Sequence, residues 1–119
     1  MTGEATGHPI IVERRDSVAI VRLNRPQERN SLSRATLAEL DDAVSALTEQ
    51  ADLSAIIFTG TNDVFASGAN IRELSSLTPD GAAAFAHLGQ QLFQKIARAR
   101  ALTIAAVNGY CMGGGLDLA

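Results

Sequence analysis

The order of apolar patterns along the chain predicts a mixed fold, α/β or α+β, in which paired strands are followed by helices. Two β-branched runs lie close together near the start. Later stretches repeat their apolar residues at helical spacing, and short apolar runs bounded by turn residues have the length of buried strands.

Ile10 to Glu13 and Val18 to Leu23 are the β-branched runs, and Arg14-Arg15-Asp16-Ser17 between them is a polar turn, so the region reads as a hairpin. Asn24-Arg25-Pro26 ends the second strand, because proline cannot donate to a ladder. A helix follows, with Ser33 as N-cap and Leu37, Leu40, Val44 and Leu47 on one face; Glu39, Asp41 and Asp42 fall on the others. Ser54 to Thr59 reads as a buried strand and Gly60 to Gly68 as a loop region. Thr78-Pro79 opens a second helix with proline at the first helical position, and Phe85, Leu88, Leu92 and Ile96 form its apolar face. Thr103 to Val107 is predicted as another buried strand. Asn108-Gly109 turns the chain, and Gly113-Gly114-Gly115 leads into a third apolar stretch, Leu116 to Ala119. That stretch is about one turn long, and an isolated helix so short has no stability of its own. The chain is therefore expected to end inside an element, as a fragment would.

A chain of 119 residues with 46% hydrophobic residues suits one soluble globular domain or a piece of a larger one. The net charge of -3 comes without any basic tract that could neutralise phosphates, so nucleic acid is not an expected partner. No apolar run reaches the roughly 18 residues of a membrane span. Residues 1–9 are expected to be a flexible tail and 10–119 the domain, since Met1 to Gly7 lacks the basic start and apolar core of a signal peptide. Cys111 is alone, which rules out an intrachain disulfide and a zinc cluster; no metal is expected, and a reducing cytoplasm is the default.

Two segments could present main-chain donors to an anion. Phe65-Ala66-Ser67-Gly68-Ala69-Asn70 follows a strand, and its small residues would let a ligand approach the backbone closely; they would equally suit an ordinary strand-to-helix loop. Gly113-Gly114-Gly115 stands at a helix start, where N–H groups lack partners and the helix dipole is positive. The run matches neither a P-loop nor the dinucleotide fingerprint. Close helix packing is the other reading, although each glycine costs a helix about 1 kcal/mol against alanine. Asp117 would act as a general acid or base near this site, or simply favour the helix dipole.

Together these segments resemble the crotonase superfamily, the enoyl-CoA hydratase/isomerase family. The resemblance rests on Ile20-Val21-Arg22-Leu23-Asn24-Arg25-Pro26 with Asn30-Ser31-Leu32, on the segment from Phe65 to Leu74, and on that from Ile104 to Ala119, in the family's order. It implies an α/β crotonase-like (ClpP/crotonase) spiral of β-β-α units, here its N-terminal part. It implies an enzyme of acyl-CoA thioesters in fatty acid metabolism, most simply a lyase adding water to a 2-trans-enoyl-CoA, with the amides of Ala69 and Gly114 as oxyanion hole. Ala66, Gly68, Asn70, Ile71, Arg72, Gly113 and Arg29 fall where the family binds the CoA substrate, and Arg25 is a further candidate for a phosphate. No cofactor is implied beyond the CoA of the substrate. A homotrimer or hexamer is implied for the full-length protein.

Two positions depart from the family pattern. Asp117 stands where hydratases carry the first of two glutamates, and the second would lie beyond Ala119. Asn70 stands where an aspartate is common. The shorter Asp117 leaves open isomerisation, thioester hydrolysis or decarboxylation through the same enolate, and a non-catalytic acyl-CoA binder or inactive fragment is the alternative of another class.

Overall fold

A computed structural model describes residues 8–119, except the side chain of Ile71. Most of the expected tail lies outside the described residues. Pro9, assigned to that tail, is buried, and its carbonyl accepts a hydrogen bond from the Asn24 amide at 2.8 Å.

Strands β1 (Ile10–Arg15) and β2 (Val18–Leu23) form the hairpin. Its loop is shorter than expected. Arg14 and Arg15 continue the ladder, Arg15 pairs with Val18, and only Asp16-Ser17 turns, Asp16 taking a left-handed φ of 54°. Asp and Asn tolerate that conformation better than most residues. Arg14 reaches from this end of the sheet to Asp52 at 3.0 Å and also donates to Gln50. Its hydrogen bond and charge hold the exposed Asp52 carboxyl below the usual carboxylate range.

A single 3-10 turn (Pro26–Glu28) leads to helix α1 (Arg34–Thr48). Ser33 caps α1 by accepting the Thr36 amide at 3.2 Å, and Leu37, Leu40, Val44 and Leu47 are all buried, as their spacing predicts. Strand β3 (Ala55–Thr59) runs parallel to β2. Its residues alternate, Ile56 and Phe58 inward and Ala55, Ile57 and Thr59 half-buried, so one face of the sheet takes the helices.

Within the expected Gly60 to Gly68 loop lies a short strand, β4 (Val64–Ala66). A three-residue strand is too short to show alternation; its partner defines it. Helix α2 (Ile71–Ser75) follows, capped by Asn70, whose Oδ1 accepts the Glu73 amide at 3.2 Å. Helix α3 (Pro79–Ala97) begins on Thr78, which accepts the Gly81 amide at 3.0 Å, with Pro79 in the first turn. Leu92 and Ile96 enter the core beside α1, while Phe85 and Leu88 are only half-buried.

Strand β5 (Leu102–Ala106) completes a four-stranded sheet in the order β1-β2-β3-β5. The expectation of a buried strand fails here. β5 is an edge strand with Leu102 64% and Ile104 40% exposed, and it begins one residue earlier than predicted. A continuous apolar run cannot distinguish a strand covered on both faces from one whose outer face is open. Strand β6 (Tyr110–Cys111) pairs in parallel with β4 in a second sheet, and helix α4 (Gly114–Leu118) follows, anchored by the buried Leu118.

Candidate active site

The β4–β6 pairing sets the site, because it brings the ends of two strands, and the loops after them, side by side. Val64 pairs with Tyr110 and Ala66 with Cys111, and the Met112 amide donates to the Ala66 carbonyl at 3.2 Å. Asn108 fastens the approach: its Oδ1 accepts the Gly60 amide at 3.0 Å and its Nδ2 donates to the carbonyls of Asn62 (2.8 Å) and Val64 (3.1 Å). From the other side the buried Asn30 donates to the carbonyls of Val64 (3.2 Å) and Phe65 (3.0 Å).

Backbone then lies on backbone. Gly68 has a φ of 95°, and a Cβ there would stand 2.8 Å from the Gly114 nitrogen; a Cβ on Gly115 would stand 2.3 Å from the Ala66 carbonyl oxygen. Glycine is required at both positions by this approach. A Cβ on Gly114 would lie 3.9 Å from the Ala69 nitrogen, so the amides of Ala69 and Gly114 are near neighbours. The Gly115 amide is consumed by the Met112 carbonyl at 2.9 Å. Neither the Ala69 nor the Gly114 amide donates to an acceptor among the described residues.

Ala69 and Gly114 both line a pocket of about 250 Å³, with Leu32, Leu37, Phe85, Ala86, Gly89, Gln90, Phe93 and Asp117. Ala69, Gly114 and Asp117, singled out from the sequence for chemistry, thus meet on one pocket. Asp117 is exposed, on the first turn of α4, and its carboxylate is available to a ligand there. Elsewhere the walls are mostly apolar. An arrangement of two unpaired N–H donors and a carboxylate beside an apolar cavity can hold a polarised carbonyl and exchange a proton near it.

The expected CoA-binding residues divide. Asn70 and Arg72 line a second depression of about 490 Å³ with Glu28, Ser31 and Ala69, so Ala69 stands between the two cavities. Asn70 also spends its side-chain oxygen on the α2 cap. Gly68 is buried under the site and Gly113 is the N-cap of α4. Ala66 is fully buried in β4 and lines neither cavity. Arg29 is in neither lining: its guanidinium lies 5.5 Å from the centre of the Tyr110 ring, a cation–π contact. Arg25 pairs with Glu28 at 3.7 Å. The Ile71 side chain lies outside the described residues. Sequence reasoning missed Gly89 and Phe93 as pocket residues, although Phe85, Gly89 and Phe93 form an i, i+4, i+8 stripe that marks one helix face. Among the described residues, no three His, Cys, Asp or Glu side chains group as a metal site.

A mixed α/β fold in which two strand-to-helix loops bring residues with unbonded amides, Ala69 and Gly114, to one apolar pocket defines a class of scaffold suited to polarising a carbonyl. The chain belongs to the enoyl-CoA hydratase/isomerase family, whose model matches residues 13–119. It is 43% identical over 114 residues to a probable enoyl-CoA hydratase of Mycobacterium tuberculosis, covering 96% of this chain and 44% of the relative. It is 39% identical over 111 residues to the crotonyl-CoA hydratase of Syntrophomonas wolfei, covering 92% of this chain and 43% of that protein. The crystal structure of an enoyl-CoA hydratase from Bacillus anthracis superposes with a TM-score of 0.88 at 28% identity, covering 93% of this chain and 44% of the other. The crotonase-like α/β fold expected from the sequence is therefore the fold of this chain, over the part of it that the chain spans. The chain spans less than half the length of the curated relatives it matches.

Proposed function

We propose that the protein to which this chain belongs is a hydro-lyase adding water across the double bond of a 2-trans-enoyl-CoA. The observation that carries this is the pair of unpaired amides, Ala69 and Gly114, on the same pocket as the Asp117 carboxylate. In the proposed reaction the thioester oxygen accepts both N–H groups. Water oxygen bonds to C3, the double-bond electrons move to the thioester oxygen, and the enolate then takes a proton at C2. Charge develops on the oxygen that the amides hold, and each such donor is worth about 3 kcal/mol in the transition state. Of Asp117 and a second carboxyl group contributed from outside these residues, one, ionised, takes the proton that the attacking water loses, and the other, protonated, gives the proton to C2. CoA enters as part of the substrate, and no further cofactor takes part. Asn70 and Arg72 on the neighbouring depression would meet the CoA portion. Cytoplasmic location and a homotrimer or hexamer belong to the same proposal, testable by cell fractionation and by light scattering of the full-length protein.

The test is hydration of crotonyl-CoA by the full-length protein, followed as loss of the conjugated double bond. Asp117→Asn should lower kcat by about a hundredfold or more, the usual scale of a lost general acid or base, with little change in acyl-CoA affinity. Acyl-CoA binding without turnover at any pH would remove hydration and leave another reaction of the family.

A further inference from the structure

Gly89 is out of place by the ordinary rules of helices. It sits in the middle of the 19-residue α3, where glycine costs about 1 kcal/mol against alanine. The other described glycines have a conformational or steric reason. Gly68 and Gly113 have positive φ, and a Cβ at Gly60, Gly81, Gly109, Gly114 or Gly115 would stand within 3.3 Å of another atom. Gly89 has neither: its φ is not positive, and a Cβ there would meet only Leu37 Cδ1, at 3.9 Å. Alanine would therefore fit and would strengthen the helix.

What lies beside Gly89 is the pocket. Phe85 and Phe93 stand one turn to either side on the same face of α3, Leu37 faces it from α1, and Ala69 and Gly114 line the same cavity. We infer that Gly89 is a specificity-determining residue: its missing side chain keeps the cavity deep enough for an apolar acyl chain of medium length. A side chain at Gly89 would take space from this 250 Å³ pocket next to Leu37, where an extended acyl chain would lie. The helix gives up stability at this position and the acyl chain receives the space. This inference rests on the acyl-CoA reading above.

The experiment titrates butyryl-CoA and octanoyl-CoA by calorimetry into the full-length protein and its Gly89→Ala and Gly89→Leu variants, beside thermal melts. Wild type should bind octanoyl-CoA at least about tenfold more tightly than butyryl-CoA, since each buried methylene adds to affinity. The octanoyl-to-butyryl affinity ratio should fall about fourfold in Gly89→Ala, the worth of one methylene, and more than about tenfold in Gly89→Leu. Gly89→Ala should also raise the melting temperature. A higher melting temperature with an unchanged ratio would make Gly89 a mere helix defect and overturn the inference, and Gly89→Ala decides this even if the leucine variant does not fold. Should wild type bind neither acyl-CoA, the acyl-CoA reading falls and this inference with it. Should wild type hydrate crotonyl-CoA while neither variant shifts the ratio, only the assignment of Gly89 falls.

Discussion

Gly68 shows how much a single residue carries in this site. Its φ of 95° and its place 2.8 Å (Cβ to nitrogen) from Gly114 leave no room for a side chain. Gly68→Ala is expected to strain the backbone by about 1–3 kcal/mol and to push the Gly114 loop away from Ala69. Hydration should fall by about a hundredfold or more, as for loss of one oxyanion donor, with a lowered but cooperative melt. Full activity in Gly68→Ala would show that the two amides do not act together. In the sequence Gly68 was legible as one small residue among several and, by the family resemblance, as a candidate for the CoA site. Its left-handed conformation and its neighbour across the site come from the fold. Asp117 was legible by its place after the glycine run. Arg29 was named for the CoA site, but its contact with Tyr110 was not legible, because nothing local foretells that its guanidinium lies over that ring.

The elements differ in how openly they announce themselves. Helices α1 and α3 carry their own caps, Ser33 and Thr78-Pro79, and their own periodic apolar faces, so both were readable. Strand β4 was not, since its strand character comes from pairing with β6 and from Asn30 and Asn108. Asn30 is 2% exposed and joins the 3-10 turn to β4, accepting the Arg25 amide at 2.5 Å on one side and donating to two β4 carbonyls on the other. Asn30→Ala removes all three bonds; the Val64 carbonyl keeps its Asn108 and Thr61 donors, while the carbonyl of the buried Phe65 loses its side-chain donor. The expected loss is about 3 kcal/mol, measured by denaturant titration of the full-length protein. A change below about 0.5 kcal/mol would mean that water replaces the amide at no cost.

At the scale of the whole molecule the core is one-sided. Helices α1 and α3 cover one face of the four-stranded sheet, while Leu102, Ile104, Val107, Tyr110, Met112 and Leu116 leave large apolar surface open along β5, β6 and α4. Exposed apolar patches of this kind promote association. The 119-residue chain by itself is expected to self-associate as its concentration rises, seen by size exclusion with light scattering; a monomer with a cooperative melt would contradict this. The same openness explains why Thr103 to Val107 was misread as buried: its composition reports apolarity, and burial depends on what lies alongside. By itself the sequence determined the hairpin, the two long helices with their caps, and the identity of the two small-residue loops. These depend on interactions within a turn or two of each residue. Only the tertiary structure decided that β4 and β6 pair, that Ala69 and Gly114 open on one pocket with Asp117, and that Gly89 faces it. Such meetings depend on the packing of segments far apart in the chain, which no local pattern encodes.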